Sequence, residues 1–284
     1  MLSKEVDAYR KLIVRIGGRG AAMQKEDSVC SRVFPVFVIK CFAHKSEVCK
    51  YIPSFFVLCF LTACSSNQPY RSYGRAQGTY NTTFPIAENS ISEGGNWING
   101  RDTGLDWSNI QTVPGLSMGT QSGEVIQYND STALVTGVWV PNQVAEAQVH
   151  SINQDDNIFE EVELHLRSTL GPHRATGYEI MFRCSKSPKA YAGIARWNGA
   201  YGDFTELKSA TGAQFGVADG DTVRATIVGS IITAYINDAQ VLQVSDDTYK
   251  SGNPGMGFGL WLNKNRRARK GTFGFTRFRA GSLE

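Results

Sequence analysis

The chain has 284 residues, with 29 Lys and Arg against 26 Asp and Glu, a net charge of +3. Residues 1–64 hold 10 of those bases and 5 of those acids, a net +5, which leaves 19 bases against 21 acids, a net −2, for the rest. The basic balance therefore belongs to the leading segment, and a nucleic-acid-binding function read from net charge is excluded for the remainder.

Residues 1–50 show no hydrophobic periodicity and are too long for part of a signal peptide; either the start is placed too early or the leader is an unusual one, and the segment is set aside from the fold argument. Lys40, Lys45 and Lys50 precede the apolar run Tyr51–Phe60, which ends in Leu61-Thr62-Ala63-Cys64. A basic region, an apolar region of ~7–15 residues and small residues form a secretory signal, and the run is shorter than the ~20 residues of a spanning helix. Leu-Thr-Ala-Cys resembles the lipobox of bacterial lipoproteins. That resemblance implies cleavage before Cys64, lipidation of its thiol and a lipid-anchored protein of the cell envelope. Ser65 at the next position implies, by the same resemblance, the outer membrane of a Gram-negative cell. Expected boundaries are 1–63 for the leader, 64–84 for a lipidated cysteine and flexible linker, and 85–284 for one domain.

Of six cysteines only Cys64 and Cys184 follow the leader, so no disulfide framework and no cysteine metal pair is expected, and Cys184 reads as a small buried apolar residue. Beyond Phe84, short apolar runs alternate with turn residues: Thr132–Val140, Ala145–Ile152, Phe159–Arg167, Gly177–Arg183, Ala190–Trp197, Phe204–Leu207, Thr222–Val228, Ile231–Ile236, Gln240–Val244, Gly255–Trp261 and Thr272–Phe278. Many short strands at this spacing predict an all-β sandwich or barrel. Gly229-Ser230 and Asn237-Asp238 predict two tight hairpins. In Ser251-Gly252-Asn253-Pro254-Gly255, Pro254 and Gly255 predict a turn with positive φ at Gly255.

The run Thr222–Val244, the Asn237-Asp238 hairpin, Asp246-Asp247-Thr248-Tyr249 and Ser251–Gly255 resemble the second half of concanavalin A-like (laminin-G-like) domains. Gly177-Tyr178-Glu179 and Arg196-Trp197 resemble their middle portion. The resemblance covers Phe84–Phe278 and implies a two-sheet antiparallel jelly-roll sandwich with one concave, sugar-binding face. Lectins, glucanases, lyases and adhesion modules share it, so it implies a fold more than a function.

Period two places Glu161, Glu163, His165 and Arg167 on one face of the Phe159–Arg167 strand and Val162, Leu164 and Leu166 on the other. The next strand turns Tyr178, Ile180 and Phe182 inward and Glu179, Met181 and Arg183 outward. Two readings of this polar face stand side by side. It is an exposed ion-pair ladder or glycan-binding surface, or it is catalytic. Glu161-Val162-Glu163-Leu164-His165 resembles the Glu-x-Asp-x-Glu strand of laminarinase- and lichenase-type glucanases. There the first Glu is nucleophile and the last is acid/base. Here Glu163 stands in the middle and His165 replaces the last carboxylate, which leaves a glycoside hydrolase or polysaccharide lyase as the alternative. Trp197 and Tyr201 flank a Gly-rich turn and are candidate sugar-stacking rings, against a structural role plugging the sandwich end. An envelope protein-interaction module is the third class. Asp155 and Asp156, with Asp246-Asp247, are acidic turns able to contribute to a calcium site, and no other cofactor is indicated.

Overall fold

A computed structural model describes residues 78–121, 130–262 and 271–283. The Leu61–Cys64 motif and the basic run Arg266–Lys270 lie outside them. Sixteen strands follow in chain order. The first eight are β1 (Thr79–Thr82), β2 (Glu88–Asn89), β3 (Trp97–Asn99), β4 (Ile110–Val113), β5 (Leu116–Gly119), β6 (Ser131–Val135), β7 (Gln143–Ser151) and β8 (Ile158–Gly171). The second eight are β9 (Arg174–Arg183), β10 (Tyr191–Gly199), β11 (Phe204–Thr211), β12 (Thr222–Val228), β13 (Ile231–Ile236), β14 (Ala239–Ser245), β15 (Asn253–Leu262) and β16 (Phe273–Ser282). One sheet has the order β14-β13-β12-β7-β16-β5-β4-β2, with β1 also paired to β16. The other has the order β11-β10-β9-β8-β15-β6-β3. Pairing between these strands is antiparallel throughout, and the two sheets form the expected sandwich.

The alternating residues do what their period dictates. Val162, Leu164 and Leu166 of β8 and Tyr178, Ile180 and Phe182 of β9 are fully buried, in one core with Val223, Ala225 and Ile227 of β12 and Phe275 and Phe278 of β16. A fully buried aliphatic side chain of this kind contributes ~1.5–3 kcal/mol. Cys184 is free and buried in the same core, and burial raises its thiol pKa far above the ordinary range. The β12–β13–β14 meander turns at Asn237 and Asp238, both left-handed at φ 48° and 65°. That is the pair a type I′ hairpin requires, and Asn and Asp tolerate it best among residues with a Cβ.

Three expectations need correction. Residues 79–82 are not linker: Thr79–Thr82 pair with Phe278–Gly281 of β16. The strand expected to reach Val140 ends at Val135. In Ser251–Gly255 the positive φ falls at Gly252 (138°), because its Cα packs against the Arg167 backbone where a side chain would collide, while Gly255 continues β15.

Candidate functional site

The polar row of β8 is brought together with its neighbours, but not on an exposed surface. Glu161, Glu163, His165 and Glu179 retain 3%, 0%, 2% and 4% of their exposure. The exposed-ladder reading is overturned, since these groups are cut off from water. Register sets His165 opposite Glu179 and Glu161 opposite Arg183. On the other side of β8, Gly257 and Gly259 of β15 lie opposite Glu163 and Glu161. The two glycines are the reason the carboxylates fit. A Cβ at Gly259 would sit 3.0 Å from Glu163 Oε1, 3.2 Å from Asp130 Oδ1 and 3.3 Å from Glu161 Oε1. A Cβ at Gly257 would press on Glu163 Oε2 and lie 2.7 Å from His165 Nε2. The side chain of Glu163 thus lies across a track of bare backbone, toward Asp130 at the start of β6.

Few of these groups are matched by donors. Trp197 Nε1–H donates to Glu179 Oε2 at 2.7 Å, and Tyr191 Oη–H donates to Glu161 Oε2. Thr132 Oγ1 lies 3.4 Å from His165 Nε2, which in turn is 3.8 Å from Glu163 Oε2. Neither carboxylate oxygen of Glu163 has a hydrogen-bond partner among the described residues. Burial, with the charges of Glu179, Asp130 and Glu161 adding to it, pushes the Glu163 carboxyl well above its ordinary range. Asp130 shifts the same way, by burial and then by Glu179 and Glu161. Glu179 rises to about 8, chiefly by burial, and His165 falls to about 3 by burial alone. Near neutral pH His165 is thus a neutral imidazole beside a Glu179 carboxyl that keeps its proton. Glu163, His165 and Glu179 each offer one ligand atom within 4.8 Å of the others.

The other expected site residues are placed elsewhere. Arg167 leaves the row because β8 bulges there, with φ 47° and a register shift between Leu166 and Thr169. Its guanidinium donates to the carbonyls of Pro141 (2.7 Å), Tyr249 (2.9 Å) and Gly229 (2.8 Å), tying three loops together. Arg183 gives its N–H groups to the Glu160 and Ile158 carbonyls and stacks over Phe159. Trp197 is buried at 5%, packed against Trp107 at 4.5 Å between ring centroids and against Phe204, in a small second core. It is no open stacking platform, whereas Tyr201 is 42% exposed. The indole N–H of Trp107 has no hydrogen-bond partner among the described residues. Asp155 accepts from the Asn157 backbone N–H and side chain, and Asp156 from Ser185 Oγ–H, so both acidic residues close turns.

Sequence reasoning missed an open cleft of about 760 Å³ on the other sheet, lined among others by Tyr80, Thr82, Glu93, Asn96, Glu146 and Arg279. Its wall is pre-ordered. Tyr80 Oη–H and Thr82 Oγ1–H both donate to the Glu93 carboxylate, and Trp97 Nε1–H donates to Tyr80 Oη at 2.8 Å. Register sets Arg279 between Asn81 on β1 and Glu146 on β7. The cleft was hidden because its first wall, β1, lay within the stretch taken as linker.

No protein-family model and no curated protein matches the chain. Among solved structures it is similar to a carbohydrate-binding module, CBM66, from Bacillus subtilis, with 12% identity and TM-score 0.43 over 61% of this chain and 97% of that one. It is also similar to the carbohydrate recognition domain of Emp47p, with 11% identity and TM-score 0.47 over 74% and 100%. A third similarity is to a protein of the endo-acting O-glycanases by which human gut microbiota initiate mucin breakdown, with 10% identity and TM-score 0.45 over 73% and 100%.

Proposed function

We propose that this domain binds carbohydrate, and that it does so in the cleft formed by β1, β16 and the Glu93–Asn96 turn. The observation that carries this reading is the open cleft itself. A sugar needs convergent donors and acceptors for its hydroxyls and an apolar patch for its C–H faces, in a recess of ~300–1,000 Å³. The cleft offers carboxylates, amides, guanidinium groups and the Tyr80 ring within about 760 Å³. The acid row of β8 has the right chemistry, but it is buried and a polysaccharide cannot lie on it. A glycan array followed by titration calorimetry tests the assignment. Arg279→Ala and Asn96→Ala should each weaken a confirmed glycan tenfold or more, and Tyr201→Ala should leave it unchanged. Unchanged affinity in both cleft variants would remove the cleft from the reading.

The same proposal places the domain at the cell envelope, anchored through lipid on Cys64. Cys64→Ala should abolish palmitate labelling and accumulate precursor, and fractionation should find the wild type in the outer membrane. Normal labelling of the variant would refute the anchor.

A further inference from the structure

We infer that Glu163, His165 and Glu179 form a binding site for one divalent transition-metal ion of the zinc or manganese type, independently of where a glycan binds. The three residues come from two paired strands, are all buried, and present ligand atoms within 4.8 Å of one another. Bonds of about 2.0–2.2 Å to one ion put ligand atoms ~3–4.4 Å apart, so small side-chain rotations close the set.

The surroundings of Glu163 suit a cation as its partner better than they suit an ordinary polar cluster. Its carboxylate has no exposure, and among the described residues neither oxygen meets a donor. Buried carboxylates in folded proteins are paired, hydrogen-bonded or coordinate a metal. What faces Glu163 among the described residues is the Nε2 of His165, 3.8 Å from Oε2. The bare backbone of Gly257 and Gly259 leaves the carboxylate room to lie there, where a Cβ at 257 would force Oε2 to shift and one at 259 would crowd Oε1 at 3.0 Å. Two carboxylates and a neutral imidazole also balance a doubly charged ion.

The donor set selects the ion class. Imidazole nitrogen with carboxylate oxygen suits borderline first-row ions, and thiolate-seeking ions have no sulfur ligand in the set. Calcium and magnesium prefer all-oxygen shells, and calcium needs ~6–8 of them.

The competing explanation of the same geometry is a proton shared among the carboxyls, and metal analysis separates the two. The protein purified without chelator should contain close to one equivalent of Zn²⁺ or Mn²⁺. After stripping with a chelator, titration with ZnCl₂ or MnCl₂ should restore one equivalent and raise Tm, and CaCl₂ at the same concentration should do neither. Glu163→Gln and His165→Gln should each weaken the ion at least tenfold. Stripped wild type that takes up neither ion would overturn the site, as would variants that bind like wild type. Preferential uptake of Ca²⁺ would overturn the ion class. Should both variants fail to fold, the titration of the stripped wild type decides alone.

Discussion

The two sheets share one core but differ on their outer faces. Strand β12 of the first sheet alternates strictly, with Val223, Ala225 and Ile227 buried and Thr222, Arg224 and Thr226 half-buried between them. Strand β8 of the second is buried on both faces from Glu160 to Ser168. Strand β12 meets solvent with its outer face, so substitutions there cost little. The second sheet covers a layer of ionisable groups, and burying charge without matched partners costs stability that packing elsewhere must offset. The contrast separates two kinds of polar residue: those on the outer face of β12 are what a solvated surface requires, and those in the row of β8 are not.

The largest effect that tests this contrast should come from the shared core. Leu164→Ala should cost ~2–5 kcal/mol in denaturant unfolding, because the site is closed on both sides and collapses poorly. A cost below ~1 kcal/mol would mean that β8 is not packed between two layers. Next is Arg167→Met, which should cost ~3 kcal/mol. It removes three charge-assisted bonds and leaves the carbonyls of Pro141, Tyr249 and Gly229 without that donor. Glycan affinity should be untouched, and a loss of binding without a loss of stability would return Arg167 to the site.

A smaller effect is pH dependence near neutrality, and it comes from the buried groups of the second sheet. Glu179 has a folded pKa raised to about 8 from an ordinary 4.5, so its contribution is present below about 4.5 and is lost as pH rises through 8. His165 is depressed to about 3 from 6.5, so its contribution is present above 6.5 and is lost as pH falls toward 3. The two oppose each other between about 4.5 and 6.5. From about 6.5 to 8 His165 no longer changes, while Glu179 still does and the raised carboxyls of Glu163 and Asp130 act in the same direction, so chelator-treated protein should lose stability over that window. Chemical denaturation at several pH values checks this, and a rise over the window would contradict the burial of Glu179. Zinc- or manganese-loaded protein should show a flatter profile, since bound carboxylates are already deprotonated. The smallest effect is Thr226→Ala on the solvated face of β12, expected within ~0.5 kcal/mol of wild type. A larger change would show that the first sheet's outer face is also specialised.

These contrasts follow how legible each region is in the sequence. Inner faces could be read because a period of two admits only one arrangement when one face must be apolar: Leu164 and Ile180 could go nowhere else. The membership of Glu161, Glu163 and His165 in one row followed from the same period. Arg167 failed because a bulge breaks the phase, and its only local sign is a left-handed backbone that a sequence does not display. Burial of the row failed because alternation reports which residues share a face, not what lies over it. One signal was present and unused. Gly255, Gly257 and Gly259 recur at period two, leaving one face of β15 without side chains, which is space reserved for neighbours larger than itself. Asp130 and the walls of the cleft lacked even that, since Tyr80 and Thr82 belong to a segment whose composition reads as linker.

The glycine track has a consequence for how this sequence can vary. Positions 257 and 163 divide one fixed volume between two strands, and so do 259 with 130, 161 and 163. A methyl group gained on β15 must be matched by a methylene given up on β8, so Gly257→Ala and Glu163→Asp are each awkward alone and complementary together. Relatives of this chain should therefore change at these positions in pairs, and a chain that carries Ala at 257 beside Glu at 163 should have rebuilt the cluster around it.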